Sequence, residues 1–116
     1  MAIVILQNKP TKENIKAARE EYPDYVKITV DLSQEIVLIG GEYHADSEKI
    51  LIEKCGSKQK DIWGGGYNIT LKKFETNAII NMRQPINDST DILNPKIRDN
   101  FLKLVEEKLF NVEYLI

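Results

Sequence analysis

Three ionisable side chains, Glu42, His44 and Asp46, occupy alternate positions in the segment GGEYHAD at residues 40–46. Alternate side chains on an extended backbone point the same way. A straight run here would therefore aim an imidazole and two carboxylates at one point. A histidine flanked by carboxylates is oriented and made more basic by them, and then serves as a general base or a metal ligand. The plainer alternative is that Glu42 and Asp46 pair with lysines while His44 caps a turn. A second segment, DIWGGG at residues 61–66, adds Asp61, Trp63 and three consecutive glycines. Trp63 suits either a core or the aromatic wall of a site for a flat ligand. Three glycines in a row cost conformational entropy, and suggest a tight bend, a flexible lid or a backbone nest for an anion. Arg83 is the only arginine between Arg19 and Arg98. Its planar fork fits a carboxylate or phosphate, and an ion pair with Glu42 or Asp61 is its simpler use.

Other chemistries find little support. There is one histidine and one cysteine, with no HExxH or CxxC pair, so a zinc site built by this chain alone is disfavoured. Glu42, Asp46 and Asp61 are acceptable ligands for Mg²⁺ or Mn²⁺, but scattered carboxylates are a weak signal. The glycine run lacks the spacing of a phosphate loop or a dinucleotide fingerprint, and no cofactor is implied. Lys49, Lys54, Lys58, Lys60, Lys72 and Lys73 outnumber Glu53 and Asp61, and lie near Trp63, Tyr67 and Phe74. That combination offers a modest nucleic-acid surface. The net charge of −2 argues against nucleic-acid binding as the main task. Cys55 cannot form an internal disulfide, which fits a reducing cytoplasm. No segment approaches the ~20 apolar residues of a membrane span, and the N-terminal apolar run is too short for a secretory signal.

At 116 residues with 42% hydrophobic content, the chain reads as one globular domain. Residues 2–6 are apolar throughout and predict a strand covered on both faces. Thr11 caps a helix with Ile15, Ala18 and Tyr22 on its buried side, ended by Pro23. Val26, Ile28, Val30 and Leu32 alternate with polar residues, the pattern of a half-buried strand. It pairs as a hairpin with a central strand at 36–39. Residues 46–55 are ambiguous. Asp46 can cap a short helix closed by Gly56, or 49–54 can be a strand returning as 60–64; the β-branched Ile50 and Ile52 favour that hairpin. A further hairpin spans 68–83, with strands at 68–74 and 78–82. Asn94-Pro95 starts a C-terminal helix burying Ile97, Phe101, Leu104, Val105 and Leu109. The fold class is α+β: a mixed, mostly antiparallel sheet with an N-terminal βα unit, β-hairpins and a C-terminal helix packed on one face. The apolar tail 111–116 suits an added edge strand or a homodimer contact.

All six glycines, the only histidine, the only cysteine and the only tryptophan fall between Gly40 and Gly66. This concentration makes the flanks scaffold and the centre the site. The segments GGEYHAD, GSKQKDIWG and INMR (residues 80–83) together resemble a family of short prokaryotic proteins without assigned activity. The resemblance covers most of the chain and supports the choice of residues, but implies no function. The loop QPINDS after Arg83 departs from the polar loop usual in that family. The leading expectation is a binding or regulatory module in which Glu42, His44, Asp46, Asp61, Trp63 and Arg83 surround a small polar ligand or a protein partner. One alternative is a metal-assisted hydrolase or nuclease using Glu42, His44, Asp46 and Asp61. A weak RNA-binding surface is the third.

Overall fold

The structure, a computed structural model, describes residues 3–115. Five strands form one antiparallel sheet: β1 (Ile3–Leu6), β2 (Tyr25–Asp31), β3 (Ile36–Gly40), β4 (Ile62–Asn68) and β5 (Lys73–Glu75), in the spatial order β1-β3-β2-β4-β5. Three helices accompany it: α1 (Lys12–Ala18), α2 (His44–Cys55) and α3 (Pro95–Lys108). The fold is α+β, and every strand pairing is antiparallel.

The expected β2–β3 hairpin forms with Ile28 opposite Ile39 and Asp31 opposite Ile36. Asp31 sets its turn. The carboxylate accepts from the backbone N–H groups of Ser33 (2.9 Å) and Gln34 (3.1 Å), a local pattern that turn-forming Asp favours. Val26, Ile28, Val30, Val37 and Ile39 share one face of the sheet. There they pack against Ile15 and Ala18 of α1 and Phe101, Leu104 and Val105 of α3, with Leu109 just beyond its end. Each large side chain buried here contributes roughly 1.5–3 kcal/mol before entropy is subtracted. Both helices start as their sequences predict. Thr11 and Asn14 form a reciprocal capping box, and Asn94 caps α3 ahead of Pro95.

The opposite face differs from expectation, because α2 stands where the 49–64 hairpin was predicted. Its buried residues, His44, Ser47 and Leu51, are spaced three and four apart. That is a helical stripe, but two of its members are polar, so apolar periodicity does not register it. Gly56 takes the left-handed conformation (φ 67°) and closes the helix, while packing overrides the strand preference of Ile50 and Ile52. Leu51 packs on Leu38 and Ile62, so β2 and its neighbours are covered on both sides and β2 is not a half-buried strand. The helices therefore divide between faces, α1 and α3 on one and α2 on the other.

Smaller corrections follow from edges and turns. β1 is an edge strand with Ile5 41% exposed, not a strand covered on both faces, and Ala2 lies outside the described residues. α1 ends at Ala18, so Tyr22 falls beyond it and is partly exposed. The predicted strand 68–74 is broken by a turn with Lys72 at φ 54°, and only 73–75 pairs back on β4. The predicted strand 78–82 is instead a short 3-10 turn over Ile79–Asn81. In the tail, Val112–Leu115 forms another 3-10 turn with Val112 buried, not an edge strand; Ile116 lies outside the described residues.

Candidate functional site

The three glycines of β4 are neither bend nor lid. They lie inside a regular strand and are buried, and each makes room for a neighbour. A Cβ on Gly64 would stand 2.7 Å from the Cβ of Ala78 and 2.9 Å from Cδ2 of His44. A Cβ on Gly65 would meet the backbone oxygen of Glu75 and lie 2.8 Å from Cζ of Phe101. On Gly66 it would fall within the ring of Tyr25. The run thus lets His44 and Tyr25 lie flat on one face of the sheet and Phe101 on the other.

His44 opens α2 and is 8% exposed. Its Nε2 lies 2.7 Å from the carbonyl oxygen of Gly65. A carbonyl can only accept, so Nε2 carries the proton and donates. Burial pushes the imidazole pKa down to about 4; the Gly65 bond opposes this, and the charge of Lys27 adds to it. The ring is neutral at pH 7, and its Nδ1, an acceptor, makes no hydrogen bond to the described residues.

A cavity of about 520 Å³ opens beside this ring. Tyr43, His44 and Ala45 from the start of α2 form one wall, Tyr25 and Lys27 of β2 the floor, and Ala78, Ile79 and Ile80 the far side. Burial lowers the Lys27 pKa, and its ammonium sits 4.8 Å over the ring of Tyr22. The Tyr25 hydroxyl is pushed up to about 12 by burial and then by the charge of Glu75, so it stays a neutral donor.

A different job falls to the segment that closes the free edge of β4. Asn81 is fully buried, and its Oδ1 accepts from the N–H of Gly64 (2.8 Å). Its Nδ2 donates to the carbonyls of Gly64 (2.9 Å), Thr76 (3.1 Å) and Thr90 (3.0 Å). One side chain thus satisfies the strand edge as another strand would. Asn87, also buried, holds the loop through the carbonyls of Asn81, Ser89 and Asp91. Arg83 donates to the carbonyls of Gln59 (2.7 Å), Ile62 (2.6 Å) and Ile80 (3.0 Å). Its guanidinium lies 4.1 Å over the ring of Trp63, a stabilising cation–π contact. Burial lowers its pKa, and the charge of Glu48 acts against that.

The six residues singled out from sequence therefore fall into two groups. Glu42, His44 and Asp46 gather where α2 begins, but His44 starts a helix, so the three do not share one extended line. Glu42 is exposed and Asp46 half-buried. Asp61, Trp63 and Arg83 gather where β4 begins. Asp61 pairs with Lys60 at 3.1 Å, and Arg83 binds backbone oxygens instead of a carboxylate. Trp63 is 3% exposed within the main core. Of the six, His44 alone lines the cavity. Among the described residues, no three His, Cys, Asp or Glu side chains gather as metal ligands would. Tyr67 and Phe74 pack edge to face on each other, with Tyr67 in the core. Tyr25 and Lys27 were missed because strand alternation marks them only as the polar side of β2.

Fold and site together define a small α+β domain with a cavity on the more polar face of an antiparallel sheet. No helix among the described residues is long and apolar enough to cross a membrane. The chain belongs to the family described as protein of unknown function (DUF5674), whose profile matches residues 4–108. No curated protein and no solved structure matches it.

Proposed function

We propose that the domain is a small-molecule-binding module whose site is the cavity between the start of α2, β2 and the 77–80 segment. The observation that carries this is a buried, neutral histidine among the residues that line a 520 Å³ cavity. That volume is ordinary for ligand sites, and a few polar groups set among apolar walls are their usual composition. GGEYHAD supplies one wall, and the glycines of DIWGGG let His44 settle against the sheet. Trp63, Asp61 and Arg83 support the fold at the other end of β4. The metal-assisted hydrolase required Glu42, His44, Asp46 and Asp61 to converge, and that premise is not met.

Soaking crystals with a fragment collection tests the reading. Fragments should accumulate beside His44, and Ala45→Trp, an exposed position on the cavity wall, should remove them without lowering the melting temperature. Fragments gathering elsewhere, or undiminished occupancy in Ala45→Trp, would contradict it.

A further inference from the structure

We propose that β1 is the contact strand of a homodimer. A second copy of the chain lays its own β1 antiparallel along the free edge, and the two sheets become one about a two-fold axis at Ile5. This edge lies apart from the cavity, whose walls contain no residue of β1.

The two edges of the sheet are built differently. At one end, β5 has three residues, Lys73-Phe74-Glu75, and two of them are charged. Where β5 stops, Asn81 covers the N–H and C=O of Gly64. Short strands, charges and covering side chains are the usual means of keeping an edge from pairing. At the other end, β1 is apolar throughout, and residues 3–8 include no charge and no proline. Its register with β3 is unbroken, so no bulge turns the edge away. Among the described residues no strand or bridge joins its outer side. The N–H and C=O groups that point outward from such an edge lack a strand partner.

The edge is also open to a strand. A groove of about 230 Å³ is lined by every residue from Val4 to Lys9. Successive side chains of a strand point to opposite faces. A hollow touched by Val4, Ile5 and Leu6 in turn therefore runs along the backbone edge and not over one face. Thr11 and Asn14 border it too, but their side chains are engaged in the capping box of α1. The groove thus offers main-chain hydrogen bonds and apolar side chains.

A second β1 matches both. It is uncharged over the same residues, so pairing neither buries nor opposes a charge there. Antiparallel addition continues the pattern of every pair already in the sheet, and a two-fold contact closes at two copies. Symmetry also sets the register. A two-fold axis perpendicular to the sheet leaves each face on its own side, so directly opposed residues must share a face. One residue then meets its own copy. Val4 and Leu6 belong to the main core, whereas Ile5 between them points to the other face and is 41% exposed. With Ile5 on the axis, the two exposed isoleucines cover each other, and Val4 stands opposite the partner's Leu6. The burial of Ile5 is the apolar gain of the contact.

Sedimentation equilibrium of the full chain, from micromolar to millimolar concentration, tests this. The weight-average mass should rise from 13.3 kDa toward twice that value. Ile5→Lys, which sets two like charges across the axis, should weaken association at least about tenfold and leave the urea midpoint of the dilute chain unchanged. In a Cys55→Ser background, Ile5→Cys should cross-link under mild oxidation, because opposed Cα atoms on the axis are within disulfide reach. Gln7→Cys should not, since its two copies lie about 14 Å apart in this register. The cross-link decides the matter even where Ile5→Lys unfolds the chain. A mass that stays at 13.3 kDa throughout overturns the assignment. So does a dimer that a folded Ile5→Lys variant leaves intact, and so does cross-linking at Gln7→Cys that equals that at Ile5→Cys.

Discussion

Val26, Ile28 and Val30 of β2 point toward α1 and α3, whereas Lys27, Thr29 and Asp31, one step along the same strand, point toward α2 and the cavity. The first face is closed by close-packed apolar side chains. The second buries Thr29, Asp31, His44 and Ser47, and keeps a hollow at one end. Apolar packing needs only complementary shape and contributes most of the stability. A buried polar layer must satisfy each group separately, and where it leaves one unsatisfied it has a use for a ligand or carries a cost. On the proposed reading, the two faces divide stability and binding between them.

The largest effects should come from the packed face and the sheet interior. Phe101→Ala should cost about 3–5 kcal/mol, the range for an emptied aromatic core position. Gly65→Ala should be at least as severe, since its Cβ would collide with the immobile backbone of Glu75 as well as with Phe101. Urea denaturation of both reads this directly; a loss under 1 kcal/mol in either would break the comparison.

Next comes the strand-edge latch. Asn81→Ala leaves the buried N–H of Gly64 and three carbonyls without this partner, and should cost at least about 3 kcal/mol, because a group left orphaned is worth roughly 1–3, although the Thr90 carbonyl keeps the N–H of Ala78. Amide exchange at Gly64 should accelerate in step. A protected Gly64 amide in the variant would show that the edge is closed by something else.

The third effect depends on pH. His44 titrates near 4 in the fold, below its ordinary 6.5, so the unfolded chain takes up the proton first. Stability should therefore fall as pH drops from about 6.5 to 4, by up to roughly 3 kcal/mol. Asp31 loses stability too, but lower. Burial alone would raise its pKa, while hydrogen bonds from Ser57, Gln34 and Ser33 hold it below the usual carboxylate range, so its contribution is lost as pH falls through that depressed value. His44→Gln, which keeps a donor for Gly65, should flatten the curve between pH 6.5 and 4 and leave the lower acid limb. An unchanged curve would mean that another group carries the dependence.

The smallest effect separates polar residues with a role from those without. The hydroxyl of Ser47 is buried without a partner, so Ser47→Ala should change stability by under about 1 kcal/mol, in the stabilising direction. A loss of 2 kcal/mol would reveal an interaction at that hydroxyl.

The same contrast explains what was legible in the sequence. The packed face was readable, because Val26, Ile28, Val30 and the Phe101–Leu109 stripe announce themselves by period, and Thr11 and Asn94-Pro95 mark helix starts by local chemistry. α2 was not, because its inward stripe of His44, Ser47 and Leu51 mixes polar with apolar. The importance of GGG and INMR could be seen, but not their work. The glycines answer to Tyr25, His44 and Phe101, and Asn81 answers to Gly64, partners that only the fold brings near. His44 was found by its rarity; Lys27, one lysine among many, had nothing to distinguish it before α2 was placed over β2.

The proposed division between faces is tested most directly by one paired measurement on Ala45→Trp: its urea midpoint and the occupancy of fragments beside His44, next to those of the unmutated chain. The account predicts an unchanged midpoint and the loss of those fragments. A variant that keeps them, or that loses them only as the fold loses stability, would contradict it.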